Sequence, residues 1–527
     1  MNEENLFLGQ NPERKDLNKL RIIKPTYLKD SSFAYDLWEW KKNPKTNKYE
    51  VMSLYYEGMR KFIESNSYYK RQLTKQSHIY VTEELNIIEE VTSNIINDKI
   101  RCYVDSIQQN VTFNYISKGY SIPHETLINI YLKQQQNIIN DKWLTNIQQH
   151  VKTILKDKKD TAFFVFENQF IEVTNNGISK HDFLNIQDHC VWKDQIIAHQ
   201  FDYIENREEH QGEFEKFIVN VCNGESDRFA ALCSAIGYLL HNFFDPKQGQ
   251  AVILYDEALT TKNKPQGGTG KGLIVNAIKT MRSTAKIDGK NFKADDKFKW
   301  SNISPSTQVV WIDETNKFFN FDSLFSCLTD GWQIERKFQN KFDIPAKDSP
   351  KVIICSNTVL ENKGSSNTRR QFIVELSDHY SKQIITGTET PIATEHNGIM
   401  FSDDWNSVQW NLFFSFMIDC VQLYLKNGLI QYKRKNVEMN LLRQKTSDEF
   451  IEYITNNPPP LNVDLEMKPL FDDFKSSYFA DDNTMVQRTF TNMIKRYCEA
   501  KNFEFMLTGK SNGTPIYQIR EQGNSTH

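Results

Sequence analysis

A chain of 527 residues is too long for a single hydrophobic core and is expected to fold as about three or four domains. Its 39% hydrophobic, 25% charged and 13% aromatic residues exclude a disordered or fibrous protein, and a net charge of −3 leaves nucleic-acid binding to local patches. The eight cysteines make no CxxC pair and have no histidine pair nearby, which argues against structural zinc and a disulfide framework.

The first residues, Met1 to Leu20, are polar and lack the apolar run of a secretory signal, so a cytoplasmic protein is expected. Residues 1–115 form an N-terminal domain with helices expected over Ser53–Ser67 and Val91–Gln109, but no motif assigns it a role. An accessory domain is expected over 116–245. Residues 116–160 read as helical, and Ala162–Val173 is an aromatic, β-branched run broken at Glu167-Asn168-Gln169 as a hairpin would be. From Phe214 to Phe244 apolar residues recur at helical spacing. The apolar stretches Phe229–Phe244 and Asn411–Leu425 are too short to span a bilayer and carry His241, Asn242 and Asp419, so they read as buried helices and no membrane partner is expected.

A catalytic domain, 246–453, opens with the buried strand Ala251–Tyr255. It leads to Pro265-Gln266-Gly267-Gly268-Thr269-Gly270-Lys271-Gly272 and then to a helical stretch, Leu273–Met281. Strand, glycine loop and helix make an anion site: the backbone N–H groups of Gly267, Gly268, Thr269, Gly270 and Gly272 can approach phosphate, the helix dipole favours it, and Lys271 reaches the terminal phosphates. Pro265 stands where a first glycine is usual, and Gly272 where a magnesium-binding hydroxyl is usual. Taken alone, such a loop is as readily a surface loop beside a lysine.

The strand Gln308–Ile312 ends in Asp313-Glu314, placing two carboxylates where open α/β sheets bind ligands. Asp313 is the expected magnesium ligand and Glu314 the group that polarises the attacking water; a solvated strand end is the plainer alternative. A third strand, Lys351–Cys355, ends in Ser356-Asn357, whose amide can bond the γ-phosphate or the water. Arg369 or Arg370, before a strand at Phe372–Leu376, can act as a finger on a neighbouring subunit's phosphate.

In this order the motifs resemble the superfamily 3 helicases, in the phage and plasmid branch related to poxvirus-type primase-helicases, over roughly Thr161 to Tyr453. The resemblance implies an α/β, AAA+-like P-loop ATPase core that takes ATP and Mg2+ and assembles as a homo-oligomeric ring, a hexamer. It implies movement 3′ to 5′ on single-stranded or forked DNA in a bacterial cell or phage-infected host, with a primase or replication initiator as a further partner. The family's signature segment reads here Cys327 to Ile344 and leads into a channel hairpin. There Arg336, Lys337 and Lys341 can pair with phosphates; Phe338 and Phe342 can either stack on bases or serve as core.

Asn456-Asn457-Pro458-Pro459-Pro460 marks a linker, and a winged-helix domain is expected over 464–520. Its helix Gln487–Lys501 puts Phe490, Met493, Ile494, Tyr497 and Cys498 on one face and Arg488, Lys495 and Arg496 on the other, followed by strands Phe503–Thr508 and Pro515–Ile519. Two rival readings stand beside the helicase: a bifunctional primase-helicase, and a nucleotide-binding DNA initiator or scaffold without turnover, favoured by Gly272.

Overall fold

The computed structural model describes residues 37–42, 45–46, 49–107, 111–115, 118–182, 188–205, 210–245, 247, 249–257, 268–316, 319–337, 340–357, 360, 365–381, 390–434, 437–480, 484–511 and 514–521. Two compact units divide the chain: Met1–Ile154 with Asp188–Lys193, and Leu155–Gln187 with Asp194–His527.

In the first unit β1 (Trp38–Lys42) and β2 (Tyr49–Leu54) form a hairpin followed by α1 (Tyr56–Ser65), β3 (Tyr68–Gln72), β4 (His78–Glu84) and β5 (Ile87–Val91). Then come α2 (Ser93–Ser106), capped by Thr92, the hairpin β6 (Val111–Tyr115) and β7 (Lys118–Ile122), α3 (His124–Ile138), α4 (Asp141–Leu144) and β8 (Thr153–Ile154). Residues 116–160 are thus only partly helical. Leu127, Tyr131 and Leu144 share one core with Trp38, Met59, Phe62 and Ile100, so a domain boundary at residue 115 would cut through packed side chains. The chain next makes β9 (Thr161–Phe166), β10 (Phe170–Thr174) and β11 (Ile178–His181) in the second unit and returns as β12 (His189–Trp192). The order β3-β4-β5-β12-β8 is closed on itself, because Lys70 N donates to Gln148 O (2.9 Å) and His150 N to Lys70 O (2.8 Å) just before β8. Ile79, Val81, Ile88, Cys190 and Trp192 fill this small barrel.

The second unit continues with β13 (Ile196–Ile197), α5 (Glu213–Val221), α6 (Ser226–Leu240), β14 (Ala251–Asp256), α7 (Lys271–Met281), β15 (Thr284–Asp288) and β16 (Val309–Thr315). It goes on through α8 (Phe325–Thr329), the hairpin β17 (Gly331–Ile334) and β18 (Phe342–Pro345), β19 (Lys351–Ser356), α9 (Ser365–Arg370), β20 (Gln371–Leu376), α10 (Pro391–Glu395) and α11 (Ser407–Asn427). Its centre is a five-stranded, wholly parallel sheet in the order β15-β16-β19-β14-β20. Strands buried on both faces read as continuous apolar runs, which is why Ala251–Tyr255 and Lys351–Cys355 were legible. The hairpin β9–β10 forms with its turn at 167–169. Helices α5, α6 and α11 pack with β9, β10 and the parallel sheet in a single core, so residues 161–245 are no separate accessory domain. Close approach of α6 to α11 depends on Gly237, where a Cβ would stand 2.1 Å from Cys420 O.

At the C-terminus α12 (Val437–Lys445), α13 (Asp448–Asn456), β21 (Leu465–Glu466), α14 (Met467–Tyr478), α15 (Gln487–Ala500), β22 (Phe503–Ser511) and β23 (Thr514–Glu521) enclose a core of their own. Phe490, Met493, Ile494, Tyr497 and Cys498 are buried in it, and Arg488, Lys495 and Arg496 are exposed. Phe450 and Tyr453 of α13 pack edge-to-face against Phe474 and Phe490, so this module begins before the proline run instead of after it. No helix among the described residues is long and apolar enough to cross a membrane.

Candidate functional site

A pocket of about 440 Å3 opens where the carboxyl ends of β16 and β19 meet the start of α7. It is lined by Gly268 to Gly272, which include Lys271, and by Asp313, Glu314 and Asn357, so three sites far apart in the chain converge on one cavity. Gly267 lies outside the described residues.

The loop enters α7 through Gly270, the N-cap at φ +96°, where a Cβ would come within 2.4 Å of Phe217 Cζ; only glycine fits that turn. Gly272, one residue into the helix, has open space where a side chain would start. The Thr269 hydroxyl is turned inward and donates to Asp256 Oδ1 at 2.6 Å. The Lys271 ammonium pairs with the same carboxylate oxygen and lies 3.4 Å from Thr269 Oγ1. Asp256, buried at the end of β14, therefore ties the loop and its lysine to the sheet.

Across the pocket, the register between β16 and β19 shifts between Ile312 and Thr315, and Glu314 takes up φ +51° at that break. A non-glycine residue in the left-handed region is uncommon and is held by its surroundings. The bulge leaves Asp313 and Glu314 both at the pocket wall. Lys286 of β15 reaches Asp313 Oδ2 at 2.7 Å and lies 4.3 Å from the centroid of Trp311. Burial pushes the Cys355 thiol, on the pocket's inner wall, up to about 12.

The arginines stand elsewhere. Gln371 is the register partner of Ala251, so Arg369 and Arg370 precede the amino end of β20, while Lys271 lies beyond the carboxyl end of β14. The six residues of β14 separate the two edges by about 20 Å. Arg369 is exposed; Arg370 donates to Ser366 O at 3.2 Å and lies 4.4 Å from the centre of Phe325.

The hairpin β17–β18 pairs Gly331 with Pro345 through Ile334 with Phe342. Lys337 and Lys341 are exposed near its tip. Arg336 instead turns back, donating from Nε to Ser301 O (3.2 Å) and from Nη2 to Ile303 O (2.8 Å), which ties up donors expected to meet phosphate. Phe342 is buried beneath Arg336, which settles it as core, whereas Phe338 lies outside the described residues.

Residues 264–370 match a family model. Its description is a family of unknown function (DUF5906), and the matched span holds Lys271, Asp313, Glu314, Asn357 and both arginines. No curated protein matches the chain. Among solved structures it is similar to the A form apo structure of the NrS-1 C terminal region, at 14% identity and TM-score 0.37, covering 88% of this chain and 99% of that one. A second apo structure of that region, CTR(305-718), matches at 12% identity and TM-score 0.38, covering 88% and 98%.

Two residues of the site escaped the sequence reading. Asp256 had a usable signal, an acidic residue directly after a buried apolar strand, as at Asp313. Lys286 had a weaker one: in Thr284–Asp288 the alternation of Ala285 and Ile287 with charged residues marks a half-buried strand, and its neighbour in the sheet decides what the lysine meets.

Proposed function

We propose that this chain is an ATP-driven DNA helicase of the superfamily 3 type, with an AAA+-like P-loop core that hydrolyses ATP at the subunit interfaces of a homo-oligomeric ring, a hexamer. The observation that carries the reading is the single pocket lined by Lys271, Asp313, Glu314 and Asn357 at the carboxyl edge of a parallel sheet. Its volume suits a nucleotide. The loop N–H groups and Lys271 would cradle the phosphates, Glu314 would polarise the attacking water and Asn357 would hold the water or the γ-phosphate.

Magnesium suits this donor set. Among the described residues no group of three acidic, His or Cys side chains could cage a metal, but Mg2+ commonly uses one or two carboxylates together with substrate phosphates and water. Asp313, at the pocket wall, is the carboxylate that would hold it, and the ion would supply charge neutralisation for the transferred phosphoryl group. Arg369 or Arg370 would complete a neighbouring subunit's site, since both stand at the opposite sheet edge from their own pocket.

Lys337 and Lys341 on the hairpin would contact single-stranded DNA, and the C-terminal module, read as a winged helix with Arg488, Lys495 and Arg496 outward, would meet duplex DNA or a primase or initiator partner. The test is unwinding of a forked duplex, with ATPase measured beside it. The natural protein should unwind and show turnover stimulated by single-stranded DNA, and Lys271→Ala should do neither; equal unwinding by both would overturn the proposal.

A second reading, a nucleotide-binding initiator or scaffold without turnover, draws on Gly272 and on the hold of Lys286 over Asp313. Nucleotide binding with no stimulated turnover would favour it.

A further inference from the structure

Gly272 brings no hydroxyl to the pocket and the Thr269 hydroxyl is turned to Asp256, so with Glu314 given to the attacking water a divalent ion accompanying nucleotide would rest on Asp313. That carboxylate is already engaged. The Lys286 ammonium is 2.7 Å from its Oδ2, with the lysine side chain 57% exposed and the aspartate side chain 23% exposed. The contact is built into the sheet: Lys286 is the register partner of Trp311, and Asp288 that of Asp313, so the lysine runs over the indole to the next carboxylate on the same face. Asp288 also feels the charge of Lys286 and accepts from Lys290 N (2.9 Å) and Asn291 Nδ2 (2.7 Å), but the carboxylate in ion-pair contact with Lys286 is Asp313.

We propose that Lys286 is a positioning residue of the nucleotide site that acts through Asp313: it aims the carboxylate and competes with the divalent ion for it, thereby setting the metal concentration at which nucleotide is held. This rests on the nucleotide-site reading above. A tethered ammonium and a divalent cation at one carboxylate repel each other, so metal binding must displace Lys286 or share the carboxylate with it. The lysine is well solvated and the competition is accordingly modest, corresponding to about fivefold in affinity, the upper end for an exposed ion pair.

The test uses the full chain and a fluorescent ATP analogue, titrated with Mg2+ and also measured in EDTA, together with Mn2+ binding followed by electron paramagnetic resonance. Lys286→Met keeps the aliphatic stem on Trp311 and removes the charge; Lys286→Gln is a second neutral variant, and unfolding midpoints check that both fold. Both should lower the Mg2+ midpoint and the Mn2+ Kd by about fivefold, with affinity in EDTA unchanged, while Lys286→Arg stays near the natural value. A midpoint unchanged or raised in both neutral variants overturns the proposal. If Lys271→Ala abolishes analogue binding in that same experiment, the nucleotide site survives and only the role of Lys286 falls; no analogue binding by the natural protein overturns both.

Discussion

Asp256 and Lys271 form an ion pair beneath the glycine loop, their side chains only 3% and 12% exposed, and Thr269 donates to the same carboxylate. Under the proposed function Lys271 would bind phosphate as well as serve as a structural counter-charge, which would couple stability to nucleotide binding. Lys271→Ala should abolish nucleotide binding and also destabilise the protein by about 3 kcal/mol, because a buried carboxylate loses its partner. Adding Asp256→Asn should recover most of that stability and none of the binding, as read by urea unfolding and nucleotide titration.

The glycines of the loop separate into one that must remain and one that can be replaced. Gly270→Ala should cost about 3 kcal/mol, since a positive φ and the Phe217 ring both oppose a Cβ. Gly272→Ser meets open space and should change stability by no more than about 0.5 kcal/mol. By adding a hydroxyl to the pocket it should lower the Mg2+ concentration needed for nucleotide binding, measurable by metal titration.

The hairpin cations should divide by role. Lys337→Ala with Lys341→Ala should weaken single-strand binding and reduce the slope of log K against log salt by about 1.4, the value for two phosphate contacts. Arg336→Ala should leave that slope unchanged and cost about 1 kcal/mol through the carbonyls of Ser301 and Ile303. Fluorescence anisotropy across a salt series, with thermal unfolding alongside, tests both.

Opposite placement of lysine and arginines predicts complementation between chains. The double variant Arg369→Ala/Arg370→Ala should bind nucleotide normally and turn over about a thousandfold more slowly. Mixed with Lys271→Ala chains, it should regain measurable ATPase activity, because a mixed interface can join an intact lysine to an intact arginine.

Lys351 should give the stability a distinctive pH dependence. Its ammonium donates to Phe243 O at 2.8 Å and lies 4.3 Å from the centre of Tyr238, and burial lowers its pKa from 10.5 to about 8. Between those values the unfolded chain holds a proton that the folded chain has released, so stability contributed by this group rises with pH through that window and is lowest below 8. Denaturation of the natural protein and of Lys351→Met from pH 7 to 10.5 should show that rise in the natural protein alone.

The site was legible where chemistry sits at the end of an apolar run. Asp313 and Asn357 stand at or just past the end of a strand that must be buried, Lys271 opens the helix that comes next after another, and a parallel sheet brings such ends together. Asp256 and Lys286 were missed because their roles depend on which strands are neighbours, and the order β15-β16-β19-β14-β20 is a property of the tertiary fold. Domain limits failed for a related reason. The proline run after Asn456 ends a helix, as read, but Phe450 and Tyr453 before it pack against residues that follow, and a break in the backbone need not be a break in the core. In the same way no local signal at Ile154 indicates that the chain will leave one unit and return to it at Asp188.

That return has a bearing on folding and on dissection of the protein. Since the barrel strand β12 is made only after β9, β10 and β11, a nascent chain cannot close its barrel until residue 192 has left the ribosome, by which time part of the second unit is already waiting for its own partners. No single cut separates the two units: a fragment stopping at residue 160 exposes Ile88 and Val81 along an open seam, and one beginning there carries an orphan strand.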